Sequence, residues 1–309
     1  MSELCRLKLH PAIFDFDSDQ ASVIGRWSHL WNVNGRREET AIKAIILSAG
    51  RGKRLLSLTE SIPKCLLPIS GKTIIEWQID TLLATGITDL TIVTGFQSGS
   101  VETLLQQRYA NRAQISIIFN PFFEVTDNLV SCWLARSVMS GEFLLLNGDT
   151  VFDAAVPAEL LNSCPAPITL GVSYKPIYDA DDMKVQLDTR GWVKHVSKNL
   201  RPDQVDCESI GLIAFRERGP QLFRSAVEDA LRHQARLKSW YLTVIDDLAG
   251  RELVSACTVS HHLWCEIDFP LDIPIAETCL KKTYQDELVQ KRPFITQILE
   301  PEQVDSFER

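Results

Sequence analysis

From Ala41 onward, apolar runs of strand length alternate with stretches whose apolar positions recur at helical spacing. Lys43 to Leu47 is the first strand-like run. Thr73 to Thr85 predicts a helix, because Ile74, Ile75, Trp77, Ile79, Leu82 and Leu83 share one broad face and Gly86 closes it. Asp89 to Thr94, Ile115 to Phe119 and Phe143 to Leu146 read as further strands, with helices over Val101 to Gln107 and Val130 to Met139. Strands that alternate with helices mean βαβ units, so the first half predicts an α/β, Rossmann-like, mostly parallel sheet with helices on both faces. Beyond Asp149 the pattern turns β-rich. Ile168 to Tyr174, Lys184 to Leu187, Val193 to Val196, Ile210 to Phe215, Thr258 to Val259 and Trp264 to Ile267 read as strands. Gln221 to Arg232, Tyr241 to Gly250 and Pro270 to Thr283 read as helices, the last broken at Pro274.

The two ends differ from this body. Residues 1–40 form an accessory segment, with a short strand at Ile13 to Asp17 and a short helix whose apolar side is Trp27, Leu30 and Trp31. They carry no evident chemistry and are expected to pack on the main domain or on a second copy of the chain. Residues 41–285 are the catalytic domain, and 286–309 are a polar, weakly patterned tail.

Composition narrows the class. With 309 residues, 45% hydrophobic, the chain has ample material for a large core. Its net charge of -8 argues against a nucleic-acid surface, which needs a basic face. No apolar run approaches the roughly 20 residues that cross a bilayer, and Met1 to Arg6 lacks the layout of a signal peptide. The 8 cysteines are scattered, with no C-x-x-C and no His/Cys ligand cluster. Reduced thiols in a cytoplasmic protein without structural zinc are the expectation. His261-His262 fits no catalytic triad, and a surface or core role is expected there.

The candidate chemistry lies where strands end. In a parallel sheet, ligands bind at the carboxyl edge of the strands. Ser48-Ala49-Gly50-Arg51-Gly52-Lys53-Arg54 follows the first strand, Gln97 the second, Asn120 the third and Gly148-Asp149 the fourth. Glycines at 50 and 52 let backbone amides approach an anion, and Arg51, Lys53, Arg54 and Lys64 bring positive charge. Two familiar phosphate motifs fail here. Leu55 stands where G-x-G-x-x-G needs its third glycine. Arg54 follows Gly52-Lys53 where the P-loop needs Ser or Thr, and Leu66 holds the upstream glycine position before Gly71-Lys72-Thr73.

The longer string Leu47-Ser48-Ala49-Gly50-Arg51-Gly52-Lys53-Arg54-Leu55, then Thr59, then Pro63-Lys64-x-Leu66-x-Pro68, resembles the signature of the nucleotidyltransferases that make nucleotide-activated metabolites. That signature reads L-A-A-G-x-G-[ST]-R-[LM], a Thr, then P-K-x-[LM]-x-P. Lys53 replaces its small hydroxyl residue and Ser57 a common proline. Asp127-Asn128, Ser131, Asp182-Met183-Lys184 and Trp240-Tyr241 resemble the branch of phosphocholine cytidylyltransferases and relatives that act on other small phosphorylated acceptors.

The resemblance implies a GT-A-like nucleotidyltransferase fold and a set of roles. Arg54 and Lys64 are the expected catalytic cations. Leu47, Ser48, Ala49, Gly50, Arg51, Gly52, Lys53, Gln97, Asn120, Asn128, Ser131 and Gly148 are expected to bind nucleotide. Lys184, Lys198, Glu208, Trp240, Tyr241 and Trp264 are expected at the acceptor, the aromatics, with Trp133, offering faces to a quaternary ammonium. Asp149 and Asp268 are expected to hold Mg²⁺ together. The implied reaction joins an NTP, with CTP favoured, to a small phosphorylated acceptor and releases pyrophosphate, as in the making of cell-surface polysaccharide or lipid precursors. Two alternatives stay open: a sugar-1-phosphate uridylyl- or thymidylyltransferase, and a nucleotide-binding regulatory subunit without turnover. A dehydrogenase ranks well behind these, given the failed glycine pattern.

Overall fold

The computed structural model describes residues 42–163 and 166–281, and the expectations for residues 1–40 and 286–309 lie outside them. Strand β1 (Lys43–Ser48) runs into the glycine loop, which continues as a 3-10 turn over Lys53–Thr59. A second short turn, Lys64–Leu66, leads into a small hairpin of β2 (Pro68–Ile69) and β3 (Lys72–Thr73). Helix α1 (Ile74–Ala84) opens on a capping box, with Thr73 accepting from the Glu76 amide and Glu76 accepting from the Thr73 amide. Then come β4 (Asp89–Thr94), α2 (Ser98–Tyr109), β5 (Gln114–Phe119), α3 (Asn128–Leu134), β6 (Phe143–Asn147), β7 (Thr150–Phe152) and α4 (Ala155–Asn162). The remainder is β8 (Ile168–Ser173), β9 (Lys184–Leu187), β10 (Val193–Ser197), β11 (Cys207–Phe215), α5 (Gly219–Ala230), α6 (Leu242–Ala249), β12 (Val254–Thr258) and β13 (Trp264–Glu266), closed by helix over 272–281.

The main sheet has nine strands, ordered β10-β9-β11-β6-β1-β4-β5, with β8 against β11 and β12 against β8. Around β1 the pairing is parallel, to β4 on one side and β6 on the other. The β-rich second half joins the same sheet through β11, antiparallel to β6. One long strand serves both sides: β11 pairs with β6 and β9 along one edge and β8 along the other, and its register shifts between Ser209 and Ile213. Such a bulge bends the strand where parallel and antiparallel portions meet.

Two apolar layers cover the sheet. One holds Leu145, Phe215, Phe223, Tyr241 and Ile245 beside α5 and α6; the other holds Ile46, Ile75, Ile79, Val101 and Leu146 beside α1 and α2. A third, smaller core of Leu55, Leu67, Ile69, Val151, Cys265, Ile267 and Ala276 joins the glycine-loop turn, the short hairpin, β7, β13 and the closing helix. It is the packing base on which the charged groups stand.

Two sequence expectations need correction. The strand expected at Thr258 to Val259 lies earlier, over Val254–Thr258, drawn there by parallel pairing with β8. Pro274 does not break the closing helix: it falls in the first turn, where its missing N–H has no helical partner to lose. Among the described residues, Cys65, Cys132, Cys207, Cys257, Cys265 and Cys279 are buried. No helix among them is long and apolar enough to cross a membrane.

Candidate active site

A cleft of about 360 Å³ opens at the carboxyl ends of the parallel strands. Of the expected residues, Leu47, Ala49, Gly50, Gly52, Lys53, Arg54, Lys64, Asn120, Asn128, Ser131, Gly148, Asp149, Lys198, Trp240 and Asp268 line it.

Its centre is an ion cluster. The Lys64 ammonium lies 2.8 Å from Asp149 Oδ2 and 2.5 Å from Asp268 Oδ1. The two aspartates are 119 residues apart in sequence but adjacent in space because β7 and β13 form an antiparallel ribbon, Glu266 facing Thr150. The Ile267 amide donates to the Asp149 carbonyl at 3.0 Å and closes that end. Gln78 holds the other side of the turn: from α1 it donates to the carbonyls of Asn147 (2.7 Å) and Thr150 (2.8 Å). Burial works against the charge on Lys64, but Asp149 and Asp268 outweigh it and raise its pKa to about 12. Burial likewise opposes ionisation of Asp268, and Lys64 and Arg54 together still hold its carboxyl below the usual value.

The glycine loop is fitted to Lys64. Gly52 has φ 72°, and a Cβ placed there would lie 2.8 Å from Lys64 Cβ. Its carbonyl accepts from the Thr59 hydroxyl at 2.8 Å, tying the loop to its following turn. Gly148 is pressed as closely, since a Cβ there would meet the Leu47 carbonyl at 2.5 Å. Side-chain volume at either position would part the two walls.

Asp149, Glu266 and Asp268 bring carboxylate oxygens within 4.8 Å of one another. Asp149 Oδ1 is buried and has no hydrogen-bond partner among the described residues, while a cation, the Lys64 ammonium, already bridges the pair. Hard oxygen donors converging with an unsatisfied lone pair fit a divalent ion of the Mg²⁺ class. The cleft's charge agrees. Lys53, Arg54, Lys64 and Lys198 face Asp127, Asp149, Asp181, Glu266 and Asp268, so the lining alone carries no surplus of positive charge for a polyphosphate.

The remaining cations divide. Arg54 pairs with Asp268 at 2.8 Å and reaches toward Asp181 at 3.6 Å. Lys198 lies 4.5 Å from the centroid of Trp240, and burial keeps the neighbouring Asp127 carboxyl above its usual range despite Lys198. Arg51, expected on the nucleotide, points away instead: it stacks over Phe96 at 4.6 Å and faces Glu124 at 3.7 Å.

Several other expected contacts are not part of the cleft lining. Ser48 is buried against Gly148. Gln97 sits at the start of α2 with φ 51°. Lys184 is buried and donates to the carbonyls of Asp179 (2.6 Å) and Lys198 (3.0 Å), so it holds the loop that carries Lys198. Glu208 is buried beside Lys175 at 2.8 Å, and Lys175 also meets Asp182 at 2.5 Å. Tyr241 is fully buried and its hydroxyl donates to Asn147 Oδ1 at 3.0 Å. Trp264 packs against the layer around Phe152, and Trp133 carries the Arg136 guanidinium at 3.8 Å. Trp240 is thus the one tryptophan or tyrosine of the expected aromatic set on the cleft wall, and its ring is faced by a lysine.

Sequence reasoning missed Glu266, Gln78 and Lys175. Glu266 sits two residues before Asp268 on a short strand, and that spacing alone was the available signal. Gln78 is defined by contacts 69 and 72 residues away, and Lys175 by one 33 residues away as well as one to the nearby Asp182.

Residues 43–165 match the family model described as nucleotidyl transferase. A bifunctional IPC transferase and DIPP synthase of Aquifex aeolicus is 27% identical over 78% of this chain. A CTP:phosphoglutamine cytidylyltransferase of Campylobacter jejuni is 25% identical over 76% of this chain and 98% of its own length. The chain spans about half the length, 52%, of the Aquifex relative. In fold, the inositol-1-phosphate CTP transferase of T. maritima superposes with a TM-score of 0.67 at 20% identity, covering 79% of this chain and 96% of that one. Residues 43–165, which carry the loop, the lysine and the first of the two aspartates, are the part of this chain that is similar to the nucleotidyl transferase family.

Proposed function

We propose that this chain transfers a cytidylyl group from CTP to a small phosphorylated acceptor, releasing pyrophosphate. The observation that carries the reading is Lys64, seated against Gly52 and bridging Asp149 and Asp268 at the mouth of the loop. CTP is favoured because the Campylobacter relative and the T. maritima neighbour bear CTP in their names.

The acceptor already carries a nucleophilic phosphate oxygen, so no strong general base is required. The task is to bring two anions into line and to meet the charge that develops at the α-phosphorus. The Gly50–Arg54 loop closes around the triphosphate, with Lys53 and Arg54 meeting its β and γ groups. Lys64 neutralises the α-phosphoryl oxygens, since its raised pKa keeps it charged at any working pH. Lys198, held in place by Lys184 beneath its carbonyl, steers the acceptor phosphate. Asp149, Glu266 and Asp268 would hold a divalent ion, whose charge lowers the repulsion between donor and acceptor. Asn120, Asn128 and Ser131 form the polar wall on the side of α3.

The acceptor's non-phosphate part is less demanding of aromatics than a choline would be. Trp240 stands without a second aromatic wall from Tyr241 or Trp264, which favours an acceptor whose remainder is polar over one with a quaternary ammonium. The test is pyrophosphate release with each of the four NTPs, Mg²⁺ and a panel of phosphorylated alcohols, amino acids, sugars and phosphonates. Release with CTP and one acceptor class supports the reading. Preference for UTP or dTTP with a sugar phosphate would replace it with sugar-phosphate activation, and binding of CTP without release would leave a regulatory subunit.

A further inference from the structure

A second convergence of ligating groups lies at the opposite end of the β7–β13 ribbon from Asp149 and Asp268. Glu159 on α4 meets two adjacent histidines from the turn that precedes β13. His262 Nε2 lies 2.5 Å and His261 Nε2 3.0 Å from the same oxygen, Glu159 Oε2. The two rings sit 4.0 Å apart. The outer nitrogen of His262, Nδ1, faces Asp153 Oδ2 at 3.8 Å. All three donors lie within 4.8 Å of one another. No local pattern points to this cluster, because Glu159 lies 102 residues upstream of His261.

Glu159 Oε2 can accept an N–H from each Nε2, and the same three groups also form a ligand set for a cation. A neutral His262 has one N–H. With that N–H on Nδ1, toward Asp153, the Nε2 lone pair stands beside the Glu159 carboxylate and is free for a metal ion. A carboxylate facing Nδ1 of a histidine that binds metal through Nε2 fixes the ring and raises its basicity, the place Asp153 holds behind His262. Two imidazoles and a carboxylate suit zinc and its neighbours in the first transition row rather than Mg²⁺ or Ca²⁺.

We propose that Glu159, His261 and His262 bind a zinc-class divalent ion, with Asp153 orienting His262 and solvent completing the coordination on the exposed side of His261. The ion ties α4 to the turn that enters β13. Asp153 already spans this junction, accepting from the Ala155 amide at 2.8 Å and the Leu263 amide at 3.2 Å. The site is structural: it steadies the ribbon whose far end carries Glu266 and Asp268. It does not depend on the reaction proposed above.

The test is a zinc titration by calorimetry in excess Mg²⁺, so that the Asp149–Asp268 carboxylates are occupied by the commoner ion. The full chain is expected to bind one equivalent with micromolar affinity and to gain thermal stability from it. The double variant His261→Ala/His262→Ala should lose that equivalent, and Glu159→Gln, which keeps the shape, should weaken it by at least about tenfold. Asp149→Asn should leave it unchanged. Binding of Co²⁺ to the unaltered chain gives a check that needs no variant: visible d–d bands of a low-coordinate nitrogen and oxygen site should appear and be bleached by zinc. No bound equivalent in the unaltered chain, or one that survives both the histidine and the glutamate changes in folded protein, would overturn the proposal.

Discussion

At the scale of single residues, the account rests on side chains that hold other side chains in place. Gln78 is the clearest. It is buried to 1% exposure and gives both amide hydrogens to the Asn147 and Thr150 carbonyls, on either side of Gly148-Asp149. Gln78→Ala strands two buried acceptors, and each costs about 1–3 kcal/mol. The expected result is a lower urea midpoint together with weaker divalent-ion affinity, since Asp149 loses its fixed turn. An unchanged midpoint and affinity would show that the turn holds itself. Lys64 and Asp149 were legible in the sequence, because a long spaced string names the lysine and a strand ending in Gly-Asp presents the carboxylate. Gln78 was not legible: a glutamine on the buried face of a helix looks like any other polar interruption until its distant partners are known. Arg51 shows the converse. Its place in the loop suggested phosphate, but Phe96 and Glu124 lie on the other side of it and take its charge and its face.

At the scale of elements, the ribbon and the Lys175 network do the positioning. β13 was readable as a short apolar run and β7 was not, and their pairing is a contact between distant segments that no local pattern encodes. The same limit applies to the segment before β9. Lys175, Asp182 and Glu208 form a buried charge cluster, with Lys175 2.5 Å from Asp182 and 2.8 Å from Glu208. Burial opposes the Asp182 charge, but Lys175 prevails and its pKa lies below the usual carboxylate value. A carboxyl with a depressed folded pKa contributes stability that is complete above its unfolded value, about 3.9, and fades as pH falls through the folded value. Urea midpoints should therefore drop on acidification below about pH 4, and Asp182→Asn should remove part of that drop. A slope identical in the variant would detach Asp182 from the effect. The segment anchored by this cluster carries Asp181 and Met183 to the cleft wall, so acid should loosen the acceptor side first.

At the scale of the whole molecule, strand and helix alternation foretold the parallel strands to within a residue, since each βαβ unit is closed by local contacts, but the helix expected over Val130 to Met139 ends at Leu134 and passes into a 3-10 turn, and α4 was not foreseen. Asp89–Thr94 and Lys184–Leu187 fall where periodicity placed them. The way the β-rich half attaches was not readable. It depends on β11, which pairs with three strands and bends at a register shift beside Gly211, whose φ is 74°. That strand makes one continuous sheet of the parallel and β-rich halves. Unfolding in urea should accordingly show coincident midpoints by tryptophan fluorescence, which reports on Trp77, Trp133, Trp192, Trp240 and Trp264 among the described residues, and by far-ultraviolet circular dichroism. Separate midpoints would mean that the β6–β11 junction does not couple the halves.

The central claim is that a lysine pressed against the glycine loop and two aspartates brought together by a ribbon make one phosphate-transfer centre. Single-turnover pyrophosphate release from CTP, measured for the unaltered chain and for Lys64→Ala under saturating acceptor, tests it most directly. Loss of one such preorganised charge should slow the step by about 10² to 10³ while the protein stays folded. A folded Lys64→Ala protein that releases pyrophosphate at the parent rate would contradict the account.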